Sequence, residues 1–93
     1  MKKNVYRKQA LLFKAFAHPI RLMIIDRLLR EEMCVGEVEV QLELKQANVS
    51  QHLHILRNAG IVDFRKEGKK RCYFIVSPDS AQKLFRCSKR RLK

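Results

Sequence analysis

The sequence predicts a mostly α-helical domain with one small β-hairpin, in the order α-α-α-α-β-β-α. Three observations carry that reading. Apolar residues recur at helical spacing in four segments before residue 60, two strand-like segments then flank a basic turn holding Gly68, and Ser77-Pro78-Asp79 opens a last helix. A chain of 93 residues leaves room for one domain. No repeat, low-complexity tract or Gly/Ser linker divides it, so residues 1–93 read as a single domain with a basic tail over about 86–93.

The first helix is expected over residues 5–17, where Ala10, Leu12, Phe13, Phe16 and Ala17 share a helical period. His18-Pro19 then punctuates the chain, and Pro19 suits the first position of a second helix running to about Arg30. That helix is expected to bury Ile20, Met23, Ile24 and Leu28, with Leu29 at the margin. Met33-Cys34-Val35 reads as a short extended link. Residues 36–42 form a short third helix with Val38 and Leu42 inward and Glu37, Glu39 and Glu43 outward, and Glu43-Leu44-Lys45 makes the turn.

The helical pattern resumes at Gln46, with Val49, Leu53 and Leu56 on the buried side, and ends at Asn58-Ala59-Gly60. Gly60 there supplies the left-handed stop that many helices use. Residues 61–66 and 71–76 have strand composition around Glu67-Gly68-Lys69-Lys70, a hairpin with a basic tip. Ser77, Pro78 and Asp79 read as N-cap, first position and first-turn acid of the last helix. Its apolar stripe is narrow: Ala81, Leu84, Phe85 and Leu92.

Composition narrows the functional classes. With 46% apolar and 32% charged residues the chain falls in the globular range. Its longest apolar runs, such as residues 22–25, fall far short of the roughly 20 residues a bilayer demands. Arg7, Lys8 and Lys14 interrupt any signal-peptide core, so neither export nor membrane insertion is expected and the cytoplasm is the expected location. Three cysteines, an odd number without an export signal, argue against a disulfide scaffold and for a reducing compartment. The net charge is +12, and it is unevenly placed. Residues 1–25 carry six bases and no acid, residues 26–43 six acids and two bases, and residues 44–93 thirteen bases and three acids. Clustered Lys and Arg at this excess point to phosphate neutralisation on nucleic acid.

Two short helices joined by a tight turn and followed by a basic hairpin make a winged helix-turn-helix. With Val49, Leu53 and Leu56 buried, the fourth helix turns Gln46, Ala47, Ser50, Gln51, His54 and Arg57 outward. Gln and Arg can pair bidentately with base edges, and Ser reaches bases or phosphates. A merely solvated helix face is the bland alternative, but residues 46–56 hold no carboxylate. The reading places Gln46, Ser50, Gln51 and His54 in the major groove, with Arg57 and the wing residues Lys66, Lys69, Lys70 and Arg71 on phosphates. None of His18, His52 and His54 belongs to a catalytic pair, so no enzyme is expected. An architectural, non-specific nucleic-acid protein is the alternative, favoured by the six bases of residues 83–93. A protein-interaction module using the acidic 26–43 face leaves the basic majority unexplained.

Leu12-Phe13-Lys14-Ala15-Phe16-Ala17-His18-Pro19-Ile20-Arg21-Leu22 resembles the opening of the ArsR/SmtB family of repressors. So do Val49-Ser50-Gln51-His52-Leu53-His54-Ile55-Leu56-Arg57, Ala59-Gly60-Ile61-Val62, and Arg65-Lys66-Glu67-Gly68-Lys69 leading to Tyr73. The resemblance implies a homodimer through the first and last helices, bound to double-stranded operator DNA of dyad symmetry and released by an inducer. The family's sensor patterns are each broken in this chain. The thiolate string of the arsenic and cadmium sensors keeps Cys34 but meets Gly36 where a second cysteine belongs. Asp79 matches the start of the zinc and nickel pattern, yet Ala81 stands where its His belongs. Cys87 fits one half of the reactive-sulfur pattern, and Asp26 takes the place of the other. Cys34 with Cys87 therefore stands as a redox pair or incomplete soft-metal site, against the alternative of two small buried hydrophobes. Cys72 pairs with nothing obvious. No cofactor is required, no metal site is assigned, and the effector stays open between thiol oxidation, sulfur species, a soft metal and none.

Overall fold

A computed structural model describes residues 2–91, with side chains over residues 3–87. The order is α1 (Lys2–Phe16), α2 (Pro19–Arg30), β1 (Met33–Cys34), α3 (Val35–Leu42), α4 (Gln46–Asn58), β2 (Val62–Glu67), β3 (Lys70–Ile75) and α5 (Pro78–Arg91). Every predicted element is present, and the Met33-Cys34 link is more than a link. It pairs antiparallel with β3, Met33 opposite Tyr73 and Cys34 opposite Cys72, making a three-stranded sheet in the order β1-β3-β2. Two residues are too few to show a strand period, so only the burial of Met33 and its partner strand reveal the pairing.

Local chemistry sets the helix ends. The N–H of Ile20 donates to Nδ1 of His18, 3.1 Å away, so His18 caps α2 with Pro19 at its first position. Arg21 folds back on α1, donating from Nε to the Ala15 carbonyl at 2.7 Å and from Nη2 to the Lys14 carbonyl at 3.3 Å. They supplement the backbone bonding at the end of α1, where the Lys14 carbonyl also accepts the Ala17 N–H at 3.2 Å. Between α3 and α4 the chain turns through Glu43 at φ 53°, and the Leu44 N–H returns to the Glu39 carbonyl at 3.0 Å. Gly60 stops α4 at φ 79°, with the Ile61 N–H reaching back to the Leu56 carbonyl.

The core is built from Ile24 and Ile25 of α2, Val38 of α3, Val49, Leu53 and Leu56 of α4, and Val62 of β2, all essentially without solvent contact. The buried faces of α3 and α4 are those predicted. In α2, Ile24 and Leu28 are buried as expected, while Ile25 is buried and Met23 is 45% exposed; in α1, Ala15 is buried, Leu12 and Phe16 pack against the core, and Phe13 is 57% exposed. Both helices are apolar on more than one side, so periodicity does not choose which side meets the core. Leu92, the last residue of the predicted α5 stripe, lies outside the described residues. Of the basic tail, residues 86–91 continue α5 as helix. Among the described residues no helix is long and apolar enough to cross a membrane.

Candidate nucleic-acid interface

Burying Val49, Leu53 and Leu56 leaves Gln46, Ser50, Gln51, His54 and Arg57 exposed along α4. The hairpin formed by β2 and β3 stands beside that face. Glu67 and Lys70 are its last register pair, so Gly68 and Lys69 make a two-residue turn, with Gly68 at φ 64°. Between helix and wing lies a cleft of about 1060 Å³. Gln46, Ser50, His54, Arg57, Lys69, Lys70 and Arg71 line it, with Glu37 and Glu39 of α3 on its far wall. Seven of the nine predicted DNA-contacting residues therefore meet in one place. Gln51 is exposed on α4 and Lys66 on β2, both outside the cleft lining.

Arg57 has partners that the sequence did not reveal. Its Nε donates to Asp63 Oδ1 at 3.0 Å, and its guanidinium lies 4.6 Å from the centre of the Phe64 ring. Arg71 approaches the same ring at 4.8 Å. One aromatic side chain thus gathers an arginine from α4 and one from the wing. Asp63 also accepts the Phe64 N–H at 2.8 Å. That backbone bond first, and Arg57 second, hold the Asp63 carboxyl below its usual 3.8. Because Nε is spent on Asp63, Arg57 keeps its terminal nitrogens for a ligand in the cleft. An Arg on α4 and an Asp six residues on, across the Gly60 stop, was the only available signal. Arg65, on the other side of β2, pairs with Glu32 of the α2–β1 loop, which ties the wing to the body of the domain.

The three histidines have distinct surroundings. His54 is exposed, and its Nε2 accepts from the Asn58 amide at 3.1 Å. The neutral ring then carries its proton on Nδ1, a donor available to a base edge or phosphate. His52 is half-buried and packs on the His18 ring at 4.6 Å between centroids. Arg21 Nη1 lies 3.4 Å from His52 Nδ1, and because Arg only donates, that nitrogen accepts. Burial first, then the His18 and Arg21 charges, keep His52 below its usual 6.5. A histidine whose folded value is depressed adds stability that is complete above 6.5 and is lost as pH falls through the folded value. The thermal midpoint is therefore expected to drop as pH is lowered below about 6.5, and His52→Gln is expected to flatten that slope. A midpoint constant between pH 7 and 5 would refute the assignment.

The cysteines correct the sequence reading. Cys34 and Cys72, neighbours across β1 and β3, are joined by a disulfide, and Cys87 is exposed on α5 with a free thiol. The intrachain partner of Cys34 is thus Cys72, not Cys87, and the odd cysteine count concealed one bond. The pairing was hidden because it depends on β1 joining the sheet. Among the described residues no group of three or more His, Cys, Asp or Glu side chains is placed to hold a metal.

The model of the bacterial regulatory protein arsR family matches residues 18–63, which run from the α2 cap through α3 and α4 into β2. The transcriptional activator HlyU of Vibrio cholerae is 43% identical over 79 residues, covering 85% of this chain and 72% of that protein. The chain belongs to the arsR family. The HlyU structure superposes with a TM-score of 0.82 at 40% identity, over 94% of this chain and 97% of that one. The homodimeric winged helix-turn-helix DNA-binding domain of Mb0332 from Mycobacterium bovis superposes with a TM-score of 0.85 at 30% identity, over 95% and 81%. The biofilm growth-associated repressor of Agrobacterium fabrum is 44% identical over 76 residues, 82% of this chain and 64% of that protein. The chain accordingly spans less than two thirds of that repressor's length. As an arsR-family protein it is a winged helix-turn-helix, DNA-binding transcriptional regulator rather than an enzyme, as the resemblance in its sequence implied.

Proposed function

We propose that this arsR-family chain is a cytoplasmic, homodimeric repressor that binds double-stranded operator DNA sequence-specifically, working as one domain over residues 1–93. The observation that carries this reading is the shared cleft: a carboxylate-free face of α4 on one wall and four cationic side chains, Arg57, Lys69, Lys70 and Arg71, around it. Gln46, Ser50, Gln51 and His54 read the major groove, and Arg57, Lys66, Lys69, Lys70 and Arg71 engage phosphates. Glu37 and Glu39 on the α3 wall keep phosphates toward the wing by like-charge repulsion.

The dimer follows from apolar surface that the single chain leaves open. Tyr6 and Phe13, seven apart on α1, are 66% and 57% exposed, and Leu84 of α5 is 42% exposed. A second copy covering these helices removes that surface from water and sets two recognition helices for a dyad site. Light scattering at micromolar concentration is expected to return twice 11.0 kDa.

Fluorescence anisotropy on the chain's own upstream duplex, against random duplex, tests the reading. A specificity ratio of about 10³ or more is expected, and equal affinities would favour the architectural alternative. Gln51→Ala and His54→Ala are each expected to cost about 1–3 kcal/mol on the upstream duplex and much less on random sequence. Unchanged preference in both variants would show that another face does the reading.

A further inference from the structure

The Cys34–Cys72 bond encloses the DNA-reading unit. It spans a sequence separation of 38, and between its ends lie α3, the turn, α4, β2 and the wing turn. Each residue proposed above to touch DNA, from Gln46 to Arg71, falls inside that loop, while α1, α2 and α5 fall outside. Beside the Arg65–Glu32 pair, the backbone ladder that joins the start of α3 to the wing has two register pairs, Met33 with Tyr73 and Cys34 with Cys72, the shorter ladder of the sheet. Cys34 is half-buried and lines the cleft, whereas Cys72 is only 6% exposed.

We propose that Cys34 and Cys72 form a reversible, oxidant-driven clamp that fixes the recognition helices against the wing and so raises affinity for DNA. The inference rests on the DNA-binding reading above and names its regulation. A protein working on DNA in the cytoplasm meets a reducing thiol pool, where a disulfide is conditional rather than permanent. The oxidant is a peroxide. The thiolate of Cys34, the partly exposed residue of the pair, attacks one peroxide oxygen; the O–O bond breaks, hydroxide leaves and takes up a proton, and Cys34 becomes a sulfenic acid. The Cys72 sulfur then attacks the Cys34 sulfur, the S–S bond forms, and the S–O bond breaks to release water. Two thiols and one hydrogen peroxide thus give one disulfide and two waters. A dithiol reductant returns two electrons and two protons and reopens the clamp. Closing it removes freedom between helix and wing before DNA arrives, so less ordering remains to oppose binding. Cys87 takes no part.

The test uses the full chain, reduced with a dithiol or oxidised with hydrogen peroxide that is then removed. Three readouts are taken: peptide mapping of the disulfide, the thermal midpoint, and anisotropy on upstream and random duplexes. The oxidised protein is expected to map a Cys34–Cys72 bond, melt about 10 °C or more higher, and bind the upstream duplex about 3–10-fold more tightly. Cys87→Ser is expected to respond as the parent does. Cys34→Ser, at a partly exposed position, and Cys72→Ala, which keeps the buried site apolar, are expected to stay at the reduced values. A bond mapped to Cys87, or a Cys34–Cys72 bond that leaves affinity unchanged or weakens it, overturns the clamp alone. Failure of both redox forms to bind either duplex overturns the DNA-binding reading and the clamp with it.

Discussion

Leu53→Ala is expected to lower the unfolding free energy by about 2–5 kcal/mol, among the largest single-residue effects on stability in this chain. Leu53 has no solvent contact, sits midway along α4, and shares the core with Val49 and Leu56 of the same helix and Ile24, Ile25 and Val38 of its neighbours. Truncation removes the transfer free energy of the lost methyl groups and leaves a cavity that helices on several sides close only in part. A domain of this size has about 5–10 kcal/mol in total, so the loss is a large fraction of its stability. Urea titration reads the effect as a lower midpoint with an unchanged slope. Val40→Ala, at a position 78% exposed on α3, is expected to stay within about 0.5 kcal/mol of the parent. Equal midpoints for the Leu53 and Val40 variants would contradict the packing described. Leu53→Ala is also expected to abolish DNA binding at any temperature where the variant is unfolded, because the exposed face of α4 proposed to read DNA exists only while α4 is held from behind.

The Lys69→Ala, Lys70→Ala double variant is expected to show the largest loss of DNA affinity, and to show it on every sequence alike. Both side chains are exposed at the wing tip and line the cleft. Each phosphate contact contributes about 0.9 to the slope of log affinity against log salt. A dimer carries two wings, so the variant loses up to four contacts and its slope is expected to flatten by about 3–4. Near 0.1 M salt that corresponds to about a thousandfold weaker binding or more. Folding stability is expected to change by no more than about 0.5 kcal/mol, since neither residue packs in the core. An unchanged salt slope would remove the wing from the DNA-contacting surface. A loss confined to the upstream duplex would instead make the wing a reader of sequence.

Arg57 shows why the proposed contact surface was more legible in the sequence than its internal supports. A basic residue on the open side of α4 is evident from helical period alone, and the structure places it in the cleft. That its Nε is held by Asp63 and its guanidinium stacked on Phe64 depends on the angle at which β2 leaves the Gly60 stop, which no local rule sets. The consequence is physical: the arginine is already ordered, so less side-chain entropy remains to be lost when a phosphate binds.

Elements that bury one face and show another were determined by the sequence itself. The period of Val49, Leu53 and Leu56 chose the inner side of α4 and, by subtraction, its exposed face. Gly60 and Gly68 marked two of the three left-handed positions among the described residues, because a residue without Cβ adopts them at least cost; the third, Glu43, carried no such mark. The strings around His18-Pro19 and Val49-Ser50-Gln51 carried the family. Tertiary structure alone decided where a choice depended on partners distant in the chain. Met33 and Cys34 became a strand only because β3 offers an edge beside them, and that pairing brought Cys72 rather than Cys87 to Cys34. In α2 the burial of Ile25 in place of Met23, and in α1 that of Ala15 with Phe13 left exposed, were not singled out by period, since each helix is apolar on more than one side and only the packed core selects among them. Local spacing specifies how a segment folds on itself; which segments then touch is settled by the free energy of the whole packed domain, to which no single window of sequence gives access.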